Sequence, residues 1–381
     1  MNEKIFISSV GDISFMGELA DRPSTVPFRD IISLWANADL VVGNLECPLL
    51  SEELGQKVEG KCTLRGHPGW ADVLKKCGFG VVSLANNHMM DYGVEGLFST
   101  MEALDRAGIY YAGAGEDIET ANSPLIINLQ GKKIAFLART VVEVSSPSYA
   151  EFNKPGVAYF REDEIIPRVL ECSKTCDIVI LSLHWGIEHY SYPSPQQRVL
   201  AKKLVSAGVD IVLGHHPHVL QGEEKLDSAI VSYSSGNFLF DDVPWSYFGE
   251  DGQKRTAKLL LTEENRKGMI LEIYISKNKE IKSKRKFCSI KEKNRIVHDS
   301  SYSREMSYLD LSKRLGYPNY KFFWKIYSFK REWDLRIKTI IDFKNFHLKL
   351  KKLRFHHVRH LLYKIKKSIE VAMGKTTNPY E

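Results

Sequence analysis

The 381-residue chain lacks the marks of several protein classes, and each absence narrows what it can be. Its first residues, Met1-Asn2-Glu3-Lys4, run directly into Ile5-Phe6-Ile7, an apolar stretch far too short for a signal peptide or a bilayer-spanning helix. The expectation is therefore a cytoplasmic chain. Cysteine is sparse: Cys47, Cys62, Cys77, Cys172, Cys176 and Cys288 are scattered without a dense framework, which argues against a disulfide scaffold and for free thiols. None is spaced for a thiolate-rich structural zinc site. Cys172 and Cys176, four apart on an expected helix, read as a pair of structural thiols. No recognisable nucleic-acid module occurs, and with 43% hydrophobic and 26% charged residues the composition is that of a folded protein rather than a disordered one.

Charge is unevenly spread. The net charge is +6, yet from Lys321 to Glu381 there are 16 Lys or Arg against 5 Asp or Glu. That leaves 53−16 = 37 basic and 47−5 = 42 acidic residues before it, so a slightly acidic body carries a basic tail. The length suits one large domain with an appendage, with the boundary expected near residue 300: a body over 1–300 and a basic helical extension over 301–381.

Along the body one unit recurs: a short apolar run rich in β-branched residues, a polar cluster, then a helical pattern. Lys4 to Val10 ends in Gly11-Asp12, Asp39 to Gly43 in Asn44-Leu45-Glu46, and Phe79 to Ala85 in Asn86-Asn87-His88. Asp177 to Leu183 ends in His184-Trp185-Gly186, and Val209 to Leu213 in Gly214-His215-His216-Pro217-His218. Continuous apolar runs are strands buried on both faces. Helical patterns fall at about Pro27 to Ala36, Pro68 to Cys77, Val94 to Ala107, Glu162 to Cys172 and Pro195 to Ala207. Pro68 and Pro195 suit first turns, and Gly78, Gly108 and Gly208 suit the position just past a helix end. Leu125 to Ala138 reads as a hairpin around Gln130-Gly131-Lys132, Ala229 to Ser234 as a further strand, and Lys258 to Ile275 as two more. The expected class is α/β, with two packed mixed sheets flanked by helices.

In open α/β sheets, ligands bind beyond the carboxyl ends of the strands, and the polar clusters all lie at such ends. Asp12, Glu46, Asn87, His184, His216 and His218 form a set of oxygen and imidazole donors suited to Mn, Fe or Zn. Singly, most have plain structural alternatives. Asp12 could cap a turn, Glu46 could form a salt bridge, Asn87 and His88 could be turn residues, and His184 could be a core histidine. The run His215-His216-Pro217-His218 is harder to explain that way, because three imidazoles at one apolar strand tip are costly in solvation and in conformational freedom.

The series Gly11-Asp12, Gly43-Asn44-Leu45-Glu46, Leu84-Ala85-Asn86-Asn87-His88 with Asp91-Tyr92-Gly93, His184-Trp185-Gly186, Gly214-His215-His216-Pro217-His218 and Gly236-Asn237-Phe238 resembles the bacterial CapA family of poly-gamma-glutamate capsule synthesis proteins. The likeness spans about Ile5 to Asp241. That family resembles the calcineurin-like metallophosphoesterases, which implies a four-layer sandwich of two sheets with helices outside and one or two divalent metal ions. The resemblance further implies Asp12 and His218 on a first metal, Glu46 bridging, and Asn87, His184 and His216 on a second. It makes His88 a proton donor oriented by Asp91. Two departures stand out: Ser14 occupies the place of a phosphoesterase histidine, and the longer Glu46 stands where that pattern has an Asp. Glu188 and His189 read either as substrate contacts or as solvent-exposed loop residues.

The resemblance implies a metal-dependent, hydrolase-type protein in the synthesis or processing of poly-gamma-glutamate or a related anionic surface polymer, with the polymer or its precursor as substrate and other capsule-synthesis proteins as partners. The alternatives are a phosphomonoesterase or phosphodiesterase, and a non-catalytic member of a membrane-associated assembly. The last rests on the tail. From Lys344 to Lys367 no acidic residue occurs, and Lys and Arg interleave with Leu, Phe and Ile, which fits either a basic amphipathic helix on the inner membrane face or a solvated helix packed on the body.

Overall fold

The computed structural model describes residues 4–51, 62–142, 148–248 and 253–334; the acid-free stretch 344–367 lies outside them. The chain runs from β1 (Ile5–Ile13) to β2 (Leu40–Leu45), α1 (Trp70–Lys76), β3 (Phe79–Ser83), α2 (Gly93–Ala107), β4 (Tyr110–Ala112) and β5 (Ala114–Gly115). Next come α3 (Ile118–Asn122), β6 (Leu125–Leu129), β7 (Lys132–Thr140), β8 (Gly156–Val157), α4 (Glu162–Thr175), β9 (Ile178–His184), α5 (Pro195–Ala207) and β10 (Ile211–His215). Strands β11 (Glu223–Leu226), β12 (Ala229–Ser232), β13 (Asn237–Leu239), β14 (Val243–Phe248), β15 (Lys254–Leu259), β16 (Lys267–Ile275), β17 (Ile281–Ile290) and β18 (Ile296–His298) follow. Two helices, α6 (Tyr302–Leu315) and α7 (Tyr320–Glu332), close the described chain.

One sheet has eight strands in the order β18-β17-β16-β1-β2-β3-β4, with β13 paired to β1; the other has six, β11-β12-β10-β9-β7-β6. Both are mixed. In the first, β1 to β4 run parallel while β16 to β18 are antiparallel, and in the second the parallel strands β7, β9, β10 and β12 carry antiparallel edges.

The period-two alternation of each strand explains why two sheets stack. Ile178 and Ile180 of β9 face the core between the sheets, while Val179, Leu181 and Leu183 face the helices outside. In β7 the same split separates Ile134, Phe136 and Ala138 from Ala135 and Leu137. Ile5, Ile7, Leu40 and Val42 of the first sheet meet that inter-sheet core from the other side. Runs that are apolar on both faces can only be satisfied in such a double layer.

Helices cover the outer faces and start and stop on local chemistry. Ser194 and Gln197 form a reciprocal capping box with Pro195 in the first turn of α5, and Gly208 ends that helix at φ +114°. The expected helix from Pro27 to Ala36 is instead two short 3₁₀ helices, Val26–Phe28 and Ile32–Trp35. The reason is tertiary: Phe28, Ile31 and Trp35 all anchor in the core, the Trp35 indole donates to the Cys77 carbonyl at 2.8 Å, and Ile31 leaves helical geometry at φ −127°. All six cysteines are free thiols, five of them buried, and Cys172 and Cys176 both lie in the core beneath α4 and α5.

The last two helices are docked. Tyr308 of α6 packs at the inter-sheet core, and Leu315, Tyr320 and Trp324 join the core beneath α5. Among the described residues no helix is long and apolar enough to cross a membrane.

Candidate metal centre

The parallel register puts the polar strand ends side by side. Asp12 pairs with Asn44 across β1 and β2, and His184 pairs with His215 across β9 and β10. The loops that follow come together where the two sheets meet. Close backbone approach makes this work: a Cβ on Gly11 would stand 1.9 Å from the Gly236 carbonyl oxygen, and one on Gly214 would stand 2.0 Å from that of Tyr233. His216 and His218 hold φ +95° and +56°, a left-handed conformation that non-glycine residues adopt at a cost of about 1–3 kcal/mol and that concentrates at functional sites.

The candidate ligands converge. Asp12 and Glu46 are fully buried, His184 nearly so, and His216 and His218 are buried at the rim. The rings of His184 and His216 lie 4.7 Å apart. Glu46 Oε1 stands 3.5 Å from His184 Nε2 and 3.5 Å from His218 Nε2, while His218 Nδ1 lies 3.5 Å from Asp12 Oδ2. Asn87 Oδ1 meets His184 Nε2 at 2.8 Å. Two donor trios have all ligand atoms within 4.8 Å of one another, Asp12-Glu46-His184 and Glu46-His216-His218. Glu46 is common to both. His184 thus groups with Asp12, and His218 with His216, although His218 also reaches Asp12.

These residues fit a divalent cation on a physical criterion. Both carboxylate oxygens of Glu46 lie buried without a hydrogen-bond donor, an arrangement that costs several kcal/mol unless a positive charge joins it. Two donors bound at about 2.1 Å to one ion stand roughly 3.0–3.4 Å apart, close to the spacing seen. The electrostatics agree. Burial, reinforced by the charge of Asp12, pushes the Glu46 carboxyl well above its ordinary range. Burial pushes His184 well below the usual imidazole value and His216 down to about 4, so both rings are neutral donors at pH 7. Burial opposes ionisation of Asp12 too, but the His215 hydrogen bond and charge outweigh it and hold the carboxyl below its usual range.

Residues outside the six expected ligands orient them. His215 Nδ1 lies 3.2 Å from Asp12 Oδ1, and the His216 backbone N–H donates to Asp12 Oδ2 at 3.2 Å. Asn44 Nδ2 donates to Asp12 Oδ1 at 2.9 Å and meets His184 Nδ1 at 3.3 Å; Asn237 Oδ1 meets His218 Nδ1 at 2.9 Å. Asn86 ties its own loop together, donating to the Leu45 carbonyl and accepting from the His88 and Met89 N–H groups. Asn44, Asn86, His215 and Asn237 stood in the sequence motifs, but their orienting contacts depend on register. Ser14 is fully buried and its N–H donates to the Leu239 carbonyl.

At the mouth, His88 Nδ1 lies 2.8 Å from Asp91 Oδ2, and that oxygen also accepts the Leu64 N–H at 2.7 Å. Glu188 and His189 line the rim with half-exposed to one-third-exposed side chains. His189 is fixed by its N–H to the Pro217 carbonyl, by Asn265 at 3.0 Å, and by Arg331 of α7 donating to its carbonyl at 3.0 Å.

A mixed two-sheet α/β sandwich with such a cluster where its strands end is a scaffold for a divalent-cation centre. Residues 6–242 match the family model described as bacterial capsule synthesis protein PGA_cap, and the chain belongs to that family. It is 37% identical over 251 residues to the capsule biosynthesis protein CapA of Bacillus anthracis, covering 63% of this chain and 61% of that protein. It is 34% identical over 241 residues to the PGA biosynthesis protein CapA of Bacillus subtilis, covering 61% and 63%. The chain thus spans about three fifths of the length of these curated relatives. The Haemophilus influenzae NAD nucleotidase structure aligns at 14% identity with a TM-score of 0.42, over 82% of this chain and 63% of that one. A putative 5′-nucleotidase from Staphylococcus aureus aligns at 13% identity with a TM-score of 0.43, over 82% and 58%.

Proposed function

We propose that the protein is a metal-dependent hydrolase-type enzyme acting in the synthesis or processing of poly-gamma-glutamate or a related anionic polymer. The observation that carries this reading is the buried Glu46 carboxylate, without a hydrogen-bond donor and beside the neutral imidazoles of His184 and His216, in a chain of the capsule synthesis family. Asp12, Glu46, Asn87, His184, His216 and His218 hold one or two divalent ions. When bound, such an ion supplies neutralisation of developing negative charge and a nucleophilic water at neutral pH. Asn44, His215 and Asn237 keep the ligands aimed. Asp91 fixes His88 through Nδ1, which leaves Nε2 to hand a proton to the departing group. Glu188 and His189 stand where the flanking polymer passes.

The test is turnover by the full chain loaded with Mn or Zn. Hydrolysis of γ-linked glutamate oligomers is expected, with loss of at least about a hundredfold in His88→Gln while metal content is unchanged. Brisk hydrolysis of a generic phosphodiester without action on the glutamate oligomers overturns this reading in favour of a phosphoesterase. Inactivity on both in a metal-replete protein favours a non-catalytic role.

A further inference from the structure

Helix α7 has two faces of opposite character. Its inner face buries Tyr320, Trp324, Ser328 and Glu332. There the Tyr320 hydroxyl donates to the Pro193 carbonyl at 2.7 Å, the Tyr327 hydroxyl accepts the Ser191 N–H at 2.7 Å, and Tyr190 donates to Glu332 at 2.8 Å. On the outer face Phe322, Ile326 and Phe329, followed by Trp333 at the helix end, are exposed by 66, 56, 54 and 42%. Their spacing of four, three and four residues makes one continuous stripe along the helix. On the same helical wheel Lys321 and Lys325 flank it on one side and Lys330 on the other. No acidic residue occurs from Tyr320 to Arg331.

We propose that this stripe is a docking face for the surface of an anionic lipid bilayer. An aromatic and aliphatic stripe edged by lysines is the composition of an interfacial helix, in which apolar side chains enter the headgroup region and lysines reach the phosphates. Trp333 at the end of the stripe suits the headgroup boundary. The lysines argue against other occupants. Lys is depleted where proteins bury one another, and a second copy would bring the same lysines together. The chain's own stretch 344–367 carries nine Lys or Arg and no acidic residue, so it too repels this face while adding to attraction for anionic lipid. Because the inner face of α7 braces the rim of the candidate metal centre through Arg331 and Tyr327, a bilayer on the outer face lies one helix thickness, about 10 Å, from that rim.

The experiment is co-sedimentation of the full chain with vesicles of phosphatidylcholine alone and of equal parts phosphatidylcholine and phosphatidylglycerol. Binding to the anionic vesicles is expected, with a loss of about tenfold or more when Phe322, Ile326, Phe329 and Trp333 are all changed to Gln and stretch 344–367 is left intact. The Phe322→Gln/Phe329→Gln pair, read the same way, serves if the fourfold variant melts early. Failure of the wild type to bind overturns the proposal, as does undiminished binding by the variants, which assigns attachment to the basic stretch. A wild-type dimer that the variants convert to a monomer overturns it in favour of a second copy. None of these outcomes depends on metal binding or catalysis.

Discussion

The inter-sheet core and the candidate metal centre are a few residues apart on the same strands, yet they are built on opposite terms. In β9, Ile178 and Ile180 fill the space between the sheets, and His184 at the end of the same strand meets Asn87, Glu46 and Asn44. The core satisfies itself. The centre does not: it gathers buried carboxylates, unpaired oxygens and two histidines in left-handed backbone. The first region makes the fold, and the second draws on that stability to hold groups that repel burial.

The sharpest way to break the comparison is to damage each side separately. Phe136→Ala, in the middle of the inter-sheet core, is expected to destabilise the protein by about 3–5 kcal/mol in denaturant unfolding. The folded fraction should keep its full metal content. A loss of metal stoichiometry in that fraction would show that the core tunes the centre and that the two regions are not separable.

Next in size is the metal-linked change. Adding Mn or Zn at about a thousand times its dissociation constant is expected to stabilise the wild type by about 4 kcal/mol, read as a shift in thermal midpoint. Glu46→Gln removes the carboxylate shared by both donor trios, so it should abolish most of that shift. Without metal the same substitution should leave stability unchanged or higher, since it replaces a buried carboxyl group that lacks a hydrogen-bond donor and whose charged form burial disfavours with an amide that never ionises. A metal-dependent shift that survives in Glu46→Gln removes Glu46 from the ligand set.

Much of this division is legible in the sequence, and the reasons are local. Apolar runs that lack alternation, such as the one ending at His184, require burial on both faces, and so point to covered sheets. Abrupt polar tips mark the ends where ligands gather. What is not legible follows from longer-range causes. β17 hides because Lys282, Lys284 and Lys286 interrupt its apolar residues, and it is recruited as a strand by pairing with β16. The segment after Pro27 has a helical pattern but obeys the anchoring of Phe28, Ile31 and Trp35. The orienting roles of Asn44 and His215 depend on which residue lies opposite which across the sheet, and on loops that bring Gly236 against Gly11. No residue spacing encodes that.

The smallest effect tests the electrostatic side of the contrast through pH. His216 is buried with its value pushed down to about 4, against an ordinary 6.5. In the unfolded chain the imidazole takes up a proton as pH falls through about 6.5, while in the folded protein it stays neutral until about 4. The unfolded state therefore binds more protons in that window. The neutral ring's contribution is fully present above pH 6.5 and is lost progressively as pH falls toward 4, by up to about 3 kcal/mol. Glu46 works in the opposite sense, because its raised value makes the metal-free fold bind a proton that the unfolded chain has released. The difference between wild type and His216→Gln isolates the histidine. In metal-free protein that difference should change steeply between pH 6.5 and 4 and be flat above it. A flat difference across the whole range would mean that the ring is solvated when the metal is absent, and that the centre is open to water where the core is not.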